Sequence, residues 1–302
     1  MSQSSGDGVL TPEIVGRLGR LDLVARLVVE GFLTGQHKSP YHGFSSEFAE
    51  YRQYIAGEPV VNIDWRVYAK SDRHYLKVFT EETNLRATLL MDCSASMEFR
   101  GDDDRPSKKQ YASYLAAALS YLLLRQNDAV GLVSFDEAPL AMVPARSMRR
   151  QLFQILKILD DLPAGKATNV GEVLHRVAER IKRRGLVILF SDLMDNPESI
   201  MAGLKHFRHR GHEVLVFQIL DPLEISLDYH GEVEFEALEN PGHKVRLEAA
   251  HMRDGYQARF EEWRNHMRRE CRQQHIELVE ITTATPFEKG LGAYLQKRRR
   301  MS

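Results

Sequence analysis

Apolar positions follow two periods along the chain. Ile14, Leu18 and Leu21, then Val24, Leu27 and Val28, recur at helical spacing behind Thr11-Pro12-Glu13, a helix start with proline in its first turn. The stripe reads as core-facing, because Glu13, Asp22 and Glu30 dilute the basic face that an anionic membrane would need. Residues 37–83 are rich in aromatics, Gly, Pro and Ser, and the apolar segments 63–68 and 75–79, separated by Lys70-Ser71-Asp72, predict a hairpin or paired strands. From residue 87 onward the pattern alternates. Strands are expected at 87–91, 130–135, 140–143, 186–190 and 213–220, and helices at 107–125, 148–162, 170–183 and 197–210.

Such alternation predicts an α/β fold: a doubly wound, mostly parallel sheet with helices on both faces and ligands outside the carboxyl ends of its strands. Residues 221–250 interrupt it with two antiparallel strands, 233–237 and 244–247. A long helix at 252–275, a strand at 276–281 and a last helix at 287–298 follow. The expected domains are therefore 1–83, an amino-terminal helix and aromatic-rich addition, and 84–302, the sheet domain with a β-hairpin insertion near 221–250.

Composition narrows the class only slightly. With 302 residues, 43% of them hydrophobic, the chain can bury a substantial core. Its 41 basic and 42 acidic residues leave a formal charge of −1, so no global field draws it to nucleic acid or to an anionic membrane. Two cysteines, Cys93 and Cys271, make neither a disulfide framework nor a paired-thiolate zinc motif, and a reducing cytoplasm is the expected location. The first residues lack a secretory leader's basic and apolar regions, and no apolar run approaches the ~20 residues of a transmembrane helix.

Candidate chemistry sits at the strand ends. The run Leu89-Leu90-Met91 delivers Asp92, Ser94 and Ser96 at alternate positions into a loop, and hard oxygen donors so placed suit magnesium. One Asp-x-Ser-x-Ser is weak evidence, since such residues also cap helices. Two further loops add weight: Thr168 precedes the helical stripe from Val170, and Ser191-Asp192 closes the run Leu186 to Phe190. Cys93 and Ala95 alternate away from the donors, so Cys93 reads as a buried small residue.

Asp92, Ser94, Ser96, Thr168 and Asp192, in that order, resemble the metal-ion-dependent adhesion site of von Willebrand factor A domains. The chain further resembles the bacterial DUF58 family through Gly57-Glu58-Pro59 with Ile63-Asp64-Trp65-Arg66, through Asp221-Pro222-Leu223-Glu224, and through residues 283–298. That resemblance implies an A-like domain behind a characteristic addition, and association with MoxR-type AAA+ ATPases in protein maturation or assembly. It implies a metal, Mg2+ with Mn2+ or Ca2+ as alternatives, held by those five residues and completed by an Asp or Glu of a protein partner or client. No Gly-x-x-x-x-Gly-Lys-Ser/Thr loop occurs, so any ATP hydrolysis belongs to the partner.

Other readings stay open at this stage. A haloacid-dehalogenase-like phosphatase with Asp92 as nucleophile needs a second aspartate where Ser94 stands, and a serine hydrolase lacks its Gly-x-Ser-x-Gly elbow. An A-like domain with a silent site is the third. Asp102-Asp103-Asp104 reads as a solvated loop, and His206, His209 and His212 as cations at a helix end rather than zinc ligands. The runs 180–184 and 297–300 read as solvated basic faces. Tyr54, Trp65, Arg66 and Tyr75 either cement the addition or form a recognition surface; packing is the expected role.

Overall fold

The computed structural model describes residues 12, 20–37, 51–53, 75–77, 85–163, 165, 169–238 and 242–301. Met1–Gly35 and Leu85–Ser302 form one compact unit, and Gln36–Asn84 a second. In the second, β1 (Tyr51–Gln53) pairs antiparallel with β2 (Tyr75–Lys77), in register Arg52 to Leu76. The expected strand at 75–79 is thus partly found, with a partner upstream of the one anticipated. Residues 63–68 lie outside the described residues, as do Tyr54, Trp65 and Arg66.

The larger unit is built on a six-stranded sheet, β3 (Arg86–Asp92), β4 (Ala129–Phe135), β5 (Pro139–Arg146), β6 (Leu186–Ser191), β7 (Glu213–Leu220) and β10 (Glu277–Thr282). Its order is β10-β7-β6-β3-β4-β5. Every neighbouring pair is parallel except β4 with the edge strand β5. The chain winds outward from β3 through β4 to β5, then returns to β6 on the other side of β3 and winds outward again. This is the doubly wound α/β fold expected, and its topological switch point falls between β3 and β6.

Side-chain alternation divides the core in two. On one face Leu89, Met91, Ile188, Phe190, Leu215 and Phe217 pack against α1 (Leu21–His37), α2 (Lys108–Arg125), α3 (Arg149–Asp160) and α8 (Phe287–Met301). On the other, Leu90, Val187, Leu189, Val214 and Val216 meet α4 (Val170–Arg180), α5 (Pro197–His209) and α7 (Ala249–Gln273). Helix α1 buries Leu21, Val24, Ala25, Val28, Val29 and Phe32, a stripe of helical period. Helices α4 and α5 approach closely because both carry glycine at the crossing: a Cβ on Gly171 would lie 2.4 Å from the Ser199 carbonyl oxygen, and one on Gly203 2.9 Å from that of Gly171.

The interruption after β7 consists of a short helix, α6 (Pro222–Ser226), and a hairpin of β8 (Glu232–Glu236) with β9 (Lys244–Glu248). The basic tail departs from its expected solvated role. Lys297 is buried and pairs with Glu213 at 2.7 Å, and Arg298 pairs with the buried Asp128. Both cations lock α8 to the sheet. Among the described residues, no helix is long and apolar enough to cross a membrane.

Candidate metal centre

Two buried strands end side by side at the switch point, and each delivers a carboxylate there. Asp92, the last residue of β3, is fully buried, and Asp192 directly follows β6 at 2% exposure. Ser191 bridges the strands: its hydroxyl donates to Asp92 Oδ2 at 2.6 Å, while the Ser94 amide donates to Oδ1 at 2.9 Å. The loop after β3 is fixed by the Cys93 amide, which donates to the Phe135 carbonyl at 2.7 Å, before a 3-10 turn at Ala95–Glu98. Cys93 is buried, and burial pushes its thiol up to about 12, so it is no nucleophile at neutral pH.

The hydroxyls of Ser94 and Ser96 converge, with their oxygens 3.1 Å apart. Adjacent ligands of an octahedral magnesium, each about 2.1 Å from the ion, are about 3 Å apart, so this spacing suits one edge of such a shell. Burial first, and the Asp192 charge second, push the Asp92 carboxyl up to about 7. Among the described residues this carboxylate has no cationic partner. Asp92, Ser94 and Ser96 therefore fit a hard divalent ion in donor type, spacing and electrostatics. Thr168 lies outside the described residues. Gly165 is described: its Cβ, if present, would fall 1.6 Å from the Cys93 carbonyl oxygen, so the backbone at Gly165 lies against the Asp92–Ser96 loop.

Asp192 shows a feature that sequence reasoning missed. Lys108, the first residue of α2 and wholly buried, donates to Asp192 Oδ2 at 2.8 Å and to Glu224 Oε1 at 2.5 Å. Burial alone would lower the Lys108 pKa, but its two carboxylates outweigh that and raise it, so the side chain stays an ammonium. Glu224 is held in turn by the Asp221 amide at 2.8 Å, in a capping box that opens α6. Asp221 itself accepts from Thr283 Oγ1 at 2.9 Å and from the amides of Leu223 and Gly101. The Asp221-Pro222-Leu223-Glu224 motif is thus a clamp that ties α6, α2 and the end of β10 to the site. Its acidic residues in a short motif were the one sequence signal available.

The remaining candidates separate cleanly. His206 faces His175, Nδ1 to Nδ1 at 3.0 Å, whereas His212 is buried against Phe207. Among the described residues no three His, Cys, Asp or Glu converge on one point, so the histidine spacing makes no zinc centre. Asp102, Asp103 and Asp104 are exposed, as expected of a solvated loop.

A doubly wound α/β sheet with oxygen donors gathered at its switch point is the arrangement that the sequence leads one to expect. Residues 50–266 match the family model described as "Protein of unknown function DUF58", and the chain belongs to that family. It is 28% identical over 232 residues to the uncharacterized protein Rv1480 of Mycobacterium tuberculosis, covering 76% of this chain and 72% of that one. Among solved structures it is similar to the conserved hypothetical protein BatB of Bacteroides thetaiotaomicron, at 14% identity and a TM-score of 0.47, over 71% of this chain and 99% of that one. The SpRpn10 VWA domain matches at 13% identity and a TM-score of 0.36, over 69% and 94%.

Proposed function

We propose that this chain is a non-enzymatic, metal-dependent protein–protein interaction module. Magnesium binds at the switch point through Asp92, Ser94 and Ser96, with Thr168 as a further donor and Asp192 in the surrounding shell. The observation that carries this reading is a pair of serine hydroxyls, 3.1 Å apart, in the loop that follows a buried carboxylate with no cationic partner among the described residues. Hydroxyls bring no charge, so the ion stays electrophilic towards an incoming Asp or Glu of a partner. Lys108 holds Asp192 through an ion pair, which favours a water-linked role for that carboxylate over direct ligation. Family resemblance suggests the partner, a MoxR-type AAA+ ATPase or its client, and a cytoplasmic role in maturation or assembly.

The silent-site alternative draws on Lys108 itself. An ammonium lodged on Asp192 supplies a positive charge that a metal otherwise brings. It leaves Asp92 without a cation among the described residues, however, which favours the metal. A phosphatase reading finds less support, because both Asp92 oxygens accept hydrogen bonds and a hydroxyl stands where the general acid is needed.

The test is a pull-down in magnesium using wild type, Asp92→Ala and Asp192→Ala. The proposal expects one partner retained by wild type, lost on chelation and lost with Asp92→Ala. Equal retention by all three proteins would place the interaction elsewhere.

A further inference from the structure

The opposite end of the sheet carries a cavity with the reverse electrostatics. Strand β3 runs from Arg86 to Asp92, so this end lies about 20 Å from the candidate metal centre. A cavity of about 220 Å³ opens there between the starts of β3 and β6, the end of β5 and the last turn of α4. Its floor includes Thr88. That residue is half-buried although it stands mid-strand at the centre of the sheet. The cause is the length of α4: the helix covers Leu90 on the same face but ends at Arg180, short of Thr88.

Arg86, Arg180, Lys182 and Arg183 line the cavity, and none of its lining residues is acidic. Arg86 is fixed by donating to the Ala145 carbonyl at 2.8 Å. Arg180, Lys182 and Arg183 are exposed and have no carboxylate partner among the described residues. The carboxyl end of α4 carries about half a negative charge, which one cation would balance. Three are present, with Arg86 in addition. A single carboxylate also falls short of that charge, and Arg guanidinium forks match phosphate oxygens.

We propose that this cavity binds a multiply charged phosphate group, with the cations at its rim and the Thr88 hydroxyl as a donor on its floor. Two sources share that chemistry, a free phosphate compound and a phosphorylated side chain of a protein partner. The site is independent of the metal proposal, since it shares no residue with it.

Calorimetry on the full chain in magnesium-free buffer tests it, with inorganic pyrophosphate and a phosphoserine peptide as the two probes. Wild type is expected to bind at least one of them, and the tighter probe identifies the source. The exposed double variant Arg180→Gln/Arg183→Gln should weaken binding at least 10-fold, and Thr88→Val, which keeps side-chain shape, several-fold. Circular dichroism confirms that each variant is folded. No binding of either probe by wild type overturns the proposal. So does unchanged affinity in Thr88→Val, which reduces the pocket to a screened surface of cations.

Discussion

The two ends of the central sheet are both charged, yet they handle charge in opposite ways. At the carboxyl edge Asp92, Asp192 and Lys108 are buried, and Asp192 and Glu224 share one ammonium. At the amino edge Arg180, Lys182 and Arg183 stand in solvent without carboxylate partners among the described residues. Buried charge is costly unless paired, so the carboxyl edge is under structural constraint as well as being a candidate site. Solvated charge costs little, so the amino edge is free to serve a ligand. Substitutions at the two ends should therefore separate stability from binding.

The largest effect is expected from Lys108→Met, which leaves Asp192 and Glu224 buried without their cation. Chemical denaturation in chelator should show a loss of about 3–5 kcal/mol. Magnesium should restore part of it by bringing positive charge close to Asp192. A loss below about 1 kcal/mol would mean that the ammonium is not what holds this edge together.

Next comes Gly165→Ala. Its new Cβ meets the Cys93 carbonyl oxygen, so the backbone must shift, at a cost of about 1–3 kcal/mol as in other overpacked sites. Because the displaced loop carries Ser94, magnesium affinity should fall with stability, measured by calorimetry beside the melt. Wild-type affinity in a folded variant would show that this close approach has no part in shaping the site.

Asp92→Asn probes the same edge through pH. The carboxyl is raised from its ordinary value near 4 to about 7 in the folded state, so the native protein binds the extra proton across that interval. Metal-free wild type should accordingly lose stability relative to Asp92→Asn as pH rises from about 4 to about 7, and magnesium should oppose the loss. Parallel stability curves for the two proteins would place the Asp92 pKa at its ordinary value.

The smallest effect belongs to the amino edge, where Arg180→Gln/Arg183→Gln should change stability by no more than about 0.5 kcal/mol. A larger loss, seen as a shifted denaturation midpoint, would show that these cations have structural partners and would erase the contrast between the ends.

This contrast was only half legible in the sequence. Strands ending at Asp92 and Ser191 are readable because each apolar run stops where the chain leaves the sheet, and βα alternation sends both ends to one edge. Lys108 reads as an ordinary residue at a helix start, and nothing local announces that it reaches Asp192 and Glu224, 84 and 116 residues away. Pairing of that kind is set by tertiary packing alone. Periodicity failed similarly at the tail, where Lys297 and Arg298 look solvated until Glu213 and Asp128 are seen beside them. The cavity at Thr88 depends on where α4 stops, and helix ends are the least certain part of a pattern reading.

The central claim is that Asp92 anchors a divalent ion at the switch point. Calorimetric titration of magnesium into chelator-stripped wild type and Asp92→Ala tests it most directly. The account predicts a single site in the wild type and almost none in the variant. Wild-type affinity in a folded Asp92→Ala protein would contradict it.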